Sequence, residues 1–262
     1  MEKHTLEFGI VLSGGGHKGL AHAGVLKFLN EVGIHPQVIA GTSAGSIVGS
    51  LYAQGLNPDQ ILAFFQSVSF FSWSHITFKK AGFLDANSFG TYLKEIFEEK
   101  TLGELEKDLF ITATDISRGK LKIFNQQTKI TDAVLASSAF PGVFSPVIVN
   151  GKLYSDGGIL NNFPVNTIQG RCDFIIGVNV CPMVDTEVSK FTSIKSVAIR
   201  AYEIMTMHNS NASNELCDWY IEPQALAAYN TFETNKKRME EIFNIGYQEA
   251  KKTYKNLKDK IR

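Results

Sequence analysis

The stretch Ile39-Ala40-Gly41-Thr42-Ser43-Ala44-Gly45 decides how the rest of the chain is read. Its spacing, G-x-S-x-G, suits a serine at the tip of a sharp strand-to-helix turn. Such a turn strains the serine's backbone, and it brings strand and helix so close that side chains on the flanking positions collide. Gly41 and Gly45 have no side chain, and Ala44 is nearly as small. The apolar run Val38-Ile39-Ala40 before it reads as a buried strand. Ser46 to Ala53 after it reads as a buried helix, with Gly55 as its C-terminal cap. Ser43 is therefore a candidate nucleophile.

Upstream, Phe8 to Leu12 is a short apolar strand and Leu20 to Val32 a helix ended by Gly33. Ser13-Gly14-Gly15-Gly16-His17-Lys18-Gly19 joins them. Free N–H groups at such a junction, with the helix dipole behind them, form an anion site. The glycines also fit a dinucleotide fingerprint, but that reading needs a carboxylate at the end of the second strand. The second strand here ends in Ala40-Gly41-Thr42-Ser43. The alternative is an oxyanion hole, since free N–H groups beside a serine turn are what acyl transfer requires.

Downstream, Asn57-Pro58-Asp59-Gln60 starts a helix with a capping box. Phe70 to Phe78 is aromatic, contains Trp73 and His75, and adjoins Lys79 and Lys80. It reads first as packing beneath a surface loop and second as a lid or a peripheral membrane contact. A helix through Tyr92 to Phe97 is capped by Asp85 or Asn87. Strands follow at Phe110 to Thr114 and Leu121 to Phe124, then a helix from Thr131 to Ser138, which Pro141 stops. Val147 to Tyr154 is a hairpin turned by Asn150-Gly151, and it delivers Asp156-Gly157-Gly158 at a strand end. Asn161 to Val165 begins a short helix, and Phe174 to Val180 is a central parallel strand. A polar loop, a helix from Ile194 to about Met207, a strand at Asp218 to Ile221 and a helix from Lys236 to about Lys258 complete the chain. Strands alternating with helices predict an α/β fold with a largely parallel central sheet flanked by helices.

The bulk composition excludes some roles. Basic and acidic residues each number 26, so no positive excess exists to hold nucleic acid. The cysteines Cys172, Cys181 and Cys217 form no C-x-x-C pair, and the first residues lack a signal peptide's apolar core. Reduced thiols and a cytoplasmic setting are expected. No apolar run reaches the ~20 residues of a membrane span.

Ser43 needs a proton acceptor. His4, His17, His22 and His35 precede the serine turn and have no triad-like setting, and His75 has no recognisable partner. His208 satisfies the order Ser, Asp, His, but it lies in a helix without a glycine-rich loop. Asp156 is the remaining candidate. An ordinary aspartate, with pKa near 3.9, is a poor base at neutral pH. Exclusion of water raises that value.

Four blocks, Gly14 to Gly19, Gly41 to Gly45, Ala136-Ser137-Ser138-Ala139-Phe140-Pro141 and Asp156-Gly157-Gly158, stand in the order and rough spacing of the patatin-like phospholipases. The chain resembles that family over about residues 6 to 182, and its C-terminal part, from about residue 190, is similar to bacterial intracellular members. The resemblance implies one patatin-like domain of three layers with a helical extension over about 190 to 262. It implies a Ser-Asp dyad hydrolase acting on phospholipids or other lipid esters through an acyl-serine, without metal or cofactor. By position Ser43 resembles the nucleophile and Asp156 the base. Gly14 to Gly16 look like the oxyanion hole. Lys18, Gly19, Gly41, Gly45, Pro141, Gly157 and Gly158 resemble supporting positions, and Ser137 to Pro141 a packing block. Lys18 replaces a frequent arginine and loses its planar fork. An acyltransferase, a thioesterase or a non-catalytic lipid-binding homologue fits the same residues.

Overall fold

The computed structural model describes residues 6–68, 87–208 and 214–257. The aromatic stretch Phe70 to Phe78, with Trp73 and His75, lies outside them, as does the cap of the helix that begins at Asn87.

Short apolar runs make the strands. β1 (Phe8–Leu12), β2 (Val38–Thr42), β3 (Asp108–Asp115), β7 (Phe174–Val178) and β8 (Trp219–Ile221) run parallel in the order β3-β2-β1-β7-β8. β4 (Lys120–Ile123) and the hairpin β5 (Val147–Val149) and β6 (Lys152–Asp156) add antiparallel strands on β3. Asn150 and Gly151 turn the hairpin with φ of 50° and 72°, the left-handed pair that a tight two-residue turn requires.

The helices are α1 (Leu20–Glu31), α2 (Ala44–Ala53), α3 (Pro58–Ser67), α4 (Asn87–Phe97), α5 (Ile130–Ser137), α6 (Ile194–His208) and α7 (Lys236–Tyr254). α3 starts with the expected box, Gln60 N to Asn57 Oδ1 and Asn57 N to Gln60 Oε1, each 2.9 Å. Side chains alternate across the sheet. Ile10, Leu12 and Ile39 enter the larger core with α1, α2 and α7, whereas Val11, Val38 and Ala40 meet Phe163, Val165 and Ile168 on the other face. That second face is covered by loops and a 3-10 turn at Val165–Thr167 where a short helix was expected from Asn161. The C-terminal part is built onto the same sheet: β8 pairs with β7 and α7 packs along α1. Among the described residues no helix is long and apolar enough to cross a membrane.

The register on β3 positions the site. Thr42, the last residue of β2, pairs with Thr112, and Asp156, the last residue of β6, pairs with Ala113. The two strand ends thus meet adjacent residues of one strand.

Candidate active site

Ser43 links β2 to α2 at φ 51° and ψ −120°, a left-handed backbone that costs a non-glycine residue roughly 1–3 kcal/mol. Its surroundings hold it there. Its N–H donates to Ser137 Oγ (2.8 Å), and its carbonyl accepts from Ser46 Oγ (2.7 Å) and from the N–H groups of Ser46 and Ile47. The flanking glycines allow the crossing. A Cβ on Gly41 would lie 2.5 Å from the Gly45 carbonyl oxygen, and one on Gly45 would collide with the carbonyl oxygens of Leu12 and Ser13.

The glycine loop approaches from the end of β1. Gly16 has φ +58°, and the next N–H, of His17, donates to Thr231 O at 2.8 Å. Gly14 N–H donates to Asn162 O at 3.1 Å, so of the loop Gly14 to Gly16 the first N–H is already committed. The N–H groups of Gly15 and Gly16 have no protein acceptor among the described residues. Behind the loop His22 Nε2 meets Ser13 O (2.9 Å), and the buried Lys18 lies beside Cys181.

Asp156 is 1% exposed. Its Oδ1 accepts from Gly158 N–H at 2.7 Å, its own N–H donates to Ala139 O (3.0 Å), and its carbonyl accepts from Thr114 Oγ1 (2.9 Å). Oδ2 is buried without a well-formed hydrogen bond. Burial pushes the carboxyl's pKa up to about 6, against the opposing pull of the nearby Ser43 hydroxyl, the Gly158 N–H and the Tyr202 phenol. The desolvation that raises the proton affinity of a buried acid is the dominant effect.

The structure therefore brings Ser43, Asp156 and the glycine loop to one cavity. Its remaining wall is mostly apolar, with Phe65, Phe89, Phe140, Phe144 and Phe232 among its side chains, beside polar residues such as His17, Glu203 and Thr231. Among the described residues no histidine is one of the groups acting on the Asp156 carboxyl. His17 lies on the cavity wall, where burial lowers its pKa to about 4, and His22, fully buried, is lowered to about 4 for the same reason. His35 is exposed and meets Asn30. His4, His75 and the His208 side chain are outside the described residues. Among the described residues no group of three His, Cys, Asp or Glu side chains is arranged to hold a metal ion.

Three residues at the site carry no local signal in the sequence. Ser137 lies in a block read as packing, yet its hydroxyl holds the Ser43 N–H, and Ala139 O in the same block holds the N–H of Asp156 and the hydroxyl of Ser155. Tyr202, on α6, was not singled out at all, because nothing local distinguishes one tyrosine of an amphipathic helix. Asn162, whose carbonyl takes the Gly14 N–H, was also passed over.

A strand-turn-helix serine, a buried carboxyl and a glycine loop on an α/β sheet define a serine-elbow class. Within that class, residues 10–168 match the model of the patatin-like phospholipase family, more than half of the chain, and the protein belongs to that family. Its relatives include a patatin-like phospholipase domain-containing protein of Caenorhabditis elegans, 32% identical over 63% of this chain and 13% of the worm protein. A lysophospholipase of Aspergillus fumigatus is 25% identical over 95% of this chain and 18% of the fungal one. An uncharacterised Acanthamoeba polyphaga mimivirus protein is 25% identical over 92% of both chains. The chain thus spans less than a fifth of the worm and fungal proteins. These relatives identify the family without singling out its bacterial, intracellular members. The crystal structure of VipD from Legionella pneumophila shares the fold, with a TM-score of 0.61 and 15% identity over 96% of this chain and 67% of that one.

Proposed function

We propose that the protein is a lipid acyl hydrolase that works through Ser43 and Asp156. Ser43 Oγ attacks the ester carbonyl carbon while Asp156 takes its proton. The carbonyl oxygen becomes an oxyanion, stabilised by the N–H groups of Gly15 and Gly16. The C–O bond to the alcohol breaks, and the alcohol leaves with the proton from Asp156. Water then gives a proton to Asp156 and attacks the acyl-serine, and Ser43 regains its proton as the fatty acid departs.

The observation that carries this reading is the environment of Asp156. A carboxyl with pKa near 6 is ionised at neutral pH yet closer in proton affinity to a serine than an exposed one. Two loop N–H groups without protein acceptors support the oxyanion role. The aromatic cavity suits an acyl chain better than a polar substrate. Phospholipids or lysophospholipids are the proposed substrates, by analogy with the fungal relative named a lysophospholipase. The whole chain acts as one domain, since β8 and α7 complete the same sheet and core.

Ser43→Ala should lower hydrolysis of a p-nitrophenyl acyl ester at least about a thousandfold. A fluorophosphonate should label the wild type and not this variant. Unchanged turnover in Ser43→Ala would end the proposal. Mass spectrometry of products from a mixed lipid extract, with the variant as control, identifies the head group and chain length.

A further inference from the structure

α6 forms one wall of the cavity, and Tyr202 is its contact with the end of β6. Part of the tyrosine is exposed, but its Oη is buried and without a well-formed hydrogen bond. Its ring leans on an aromatic neighbour. Phe140 packs on it at 4.5 Å between centroids, tilted by 59°, and Phe232 packs edge-on against Phe140 at 5.5 Å. A Cβ on Gly158 would lie 2.8 Å from Tyr202 Oη, 2.9 Å from Asn162 Oδ1 and 3.0 Å from Asp156 Oδ1. Three polar atoms thus converge over one glycine, and any side chain there would separate them. Of the three, only the phenol has a proton to give. Asn162 Oδ1 and the carboxylate can only accept.

We propose that Tyr202 is a positioning residue of the reaction: its phenol donates to the Asp156 carboxylate, orienting it toward Ser43 and stabilising its charged form. This rests on the Ser43–Asp156 reading. A carboxylate with two hydrogen-bonding oxygens accepts from several donors. Gly158 N–H takes one place, and Ser43 and Tyr202 are the side-chain donors that face the remainder. The phenol stays a donor over the working range, because burial beside the carboxylate holds its pKa well above the ordinary value.

The other titratable or charged groups around the pair are Cys181 and His17 on the cavity wall, Lys18 behind Cys181, and Glu203 next along α6. Glu222, after β8, acts on Cys181. Burial raises the Cys181 thiol to about 11 and lowers His17 to about 4, so neither changes charge between pH 5 and pH 8, a window in which Asp156 does.

The test is the pH profile of kcat/KM for a p-nitrophenyl acyl ester in wild type and Tyr202→Phe, which keeps the ring and removes the hydroxyl. A hydrogen bond to a charged group is lost, so the acid limb should move up by about one pH unit. Turnover at pH 5.5 should fall about tenfold, and at pH 8 by no more than about threefold. An acid limb at the wild-type pH, whether or not the overall rate drops, would overturn the proposal. A packing role alone predicts that outcome. If Tyr202→Phe does not fold, a fluorotyrosine at position 202 decides: a stronger donor should move the limb to lower pH, and an unmoved limb refutes the role. Ser43→Ala separates the two failures. An inactive Ser43→Ala with an unmoved limb removes Tyr202 alone, whereas an active Ser43→Ala removes the underlying reading.

Discussion

β2 and β6 end in the same cavity, yet they hold their last side chains by different means. At the end of β2 the main chain does the holding. Ser43 is forced to φ 51°, its N–H is tied to Ser137, and glycines let the strand and helix cross. At the end of β6 the backbone is ordinary, and the surroundings hold the carboxyl. One Asp156 oxygen rests on Gly158 N–H, and burial sets its proton affinity. Ser43 is thus placed by steric geometry, and the Asp156 carboxyl is set by solvation. Damage at the two ends should have opposite signatures.

The largest effect should come from Gly45→Ala. The new Cβ would meet two backbone oxygens, of Leu12 and Ser13, that have no room to yield. The variant should lose about 3 kcal/mol or more in urea unfolding and most of its activity with it. A stable, active Gly45→Ala would break the claim that the crossing sets the serine's geometry.

Asp156→Asn should show the reverse: little activity but a more stable fold at alkaline pH. The carboxyl's affinity is raised on folding, so its contribution to stability is full below the unfolded value near 3.8 and is lost as pH rises through about 6. At pH 8 the asparagine variant should exceed wild type by up to about 3 kcal/mol, at ~1.36 kcal/mol per pKa unit, and the gain should vanish by about pH 3.5. Equal stability at both pH values would place the carboxyl in a far more solvated setting than its burial suggests.

Ser137→Ala sharpens the comparison with the smallest change. It leaves the Ser43 N–H without its partner, at a cost of about 1–2 kcal/mol. Because the serine's aim is altered and not the pocket wall, kcat should fall about tenfold with KM nearly unchanged. A rise in KM alone would assign Ser137 to substrate binding.

The same contrast explains what could be read from the residues. The elbow was legible because steric crossing leaves a local mark, small residues at fixed offsets, and the glycine loop and the Asn150-Gly151 turn were legible for the same reason. Strands and helices followed from short apolar runs and caps such as Asn57-Pro58. Asp156 was reached by elimination and family resemblance, since three letters at a strand end do not state how deeply they are buried. Tyr202, Ser137 and Asn162 act across sequence separations that no local pattern encodes. That Gly14 N–H is taken up was not legible, because its acceptor, Asn162 O, is supplied by a distant loop.

Thr112 and Ala113 are neighbours on β3, and they pair with the final residues of β2 and β6. β3 therefore serves as a ruler against which both groups are measured. The connection 124–146 adds a second hold, Ser137 on Ser43 and Ala139 on Asp156, but the spacing of the two strand ends is set by the ruler. One residue added to the ruler between those two marks would pull them out of step while every named motif survived intact.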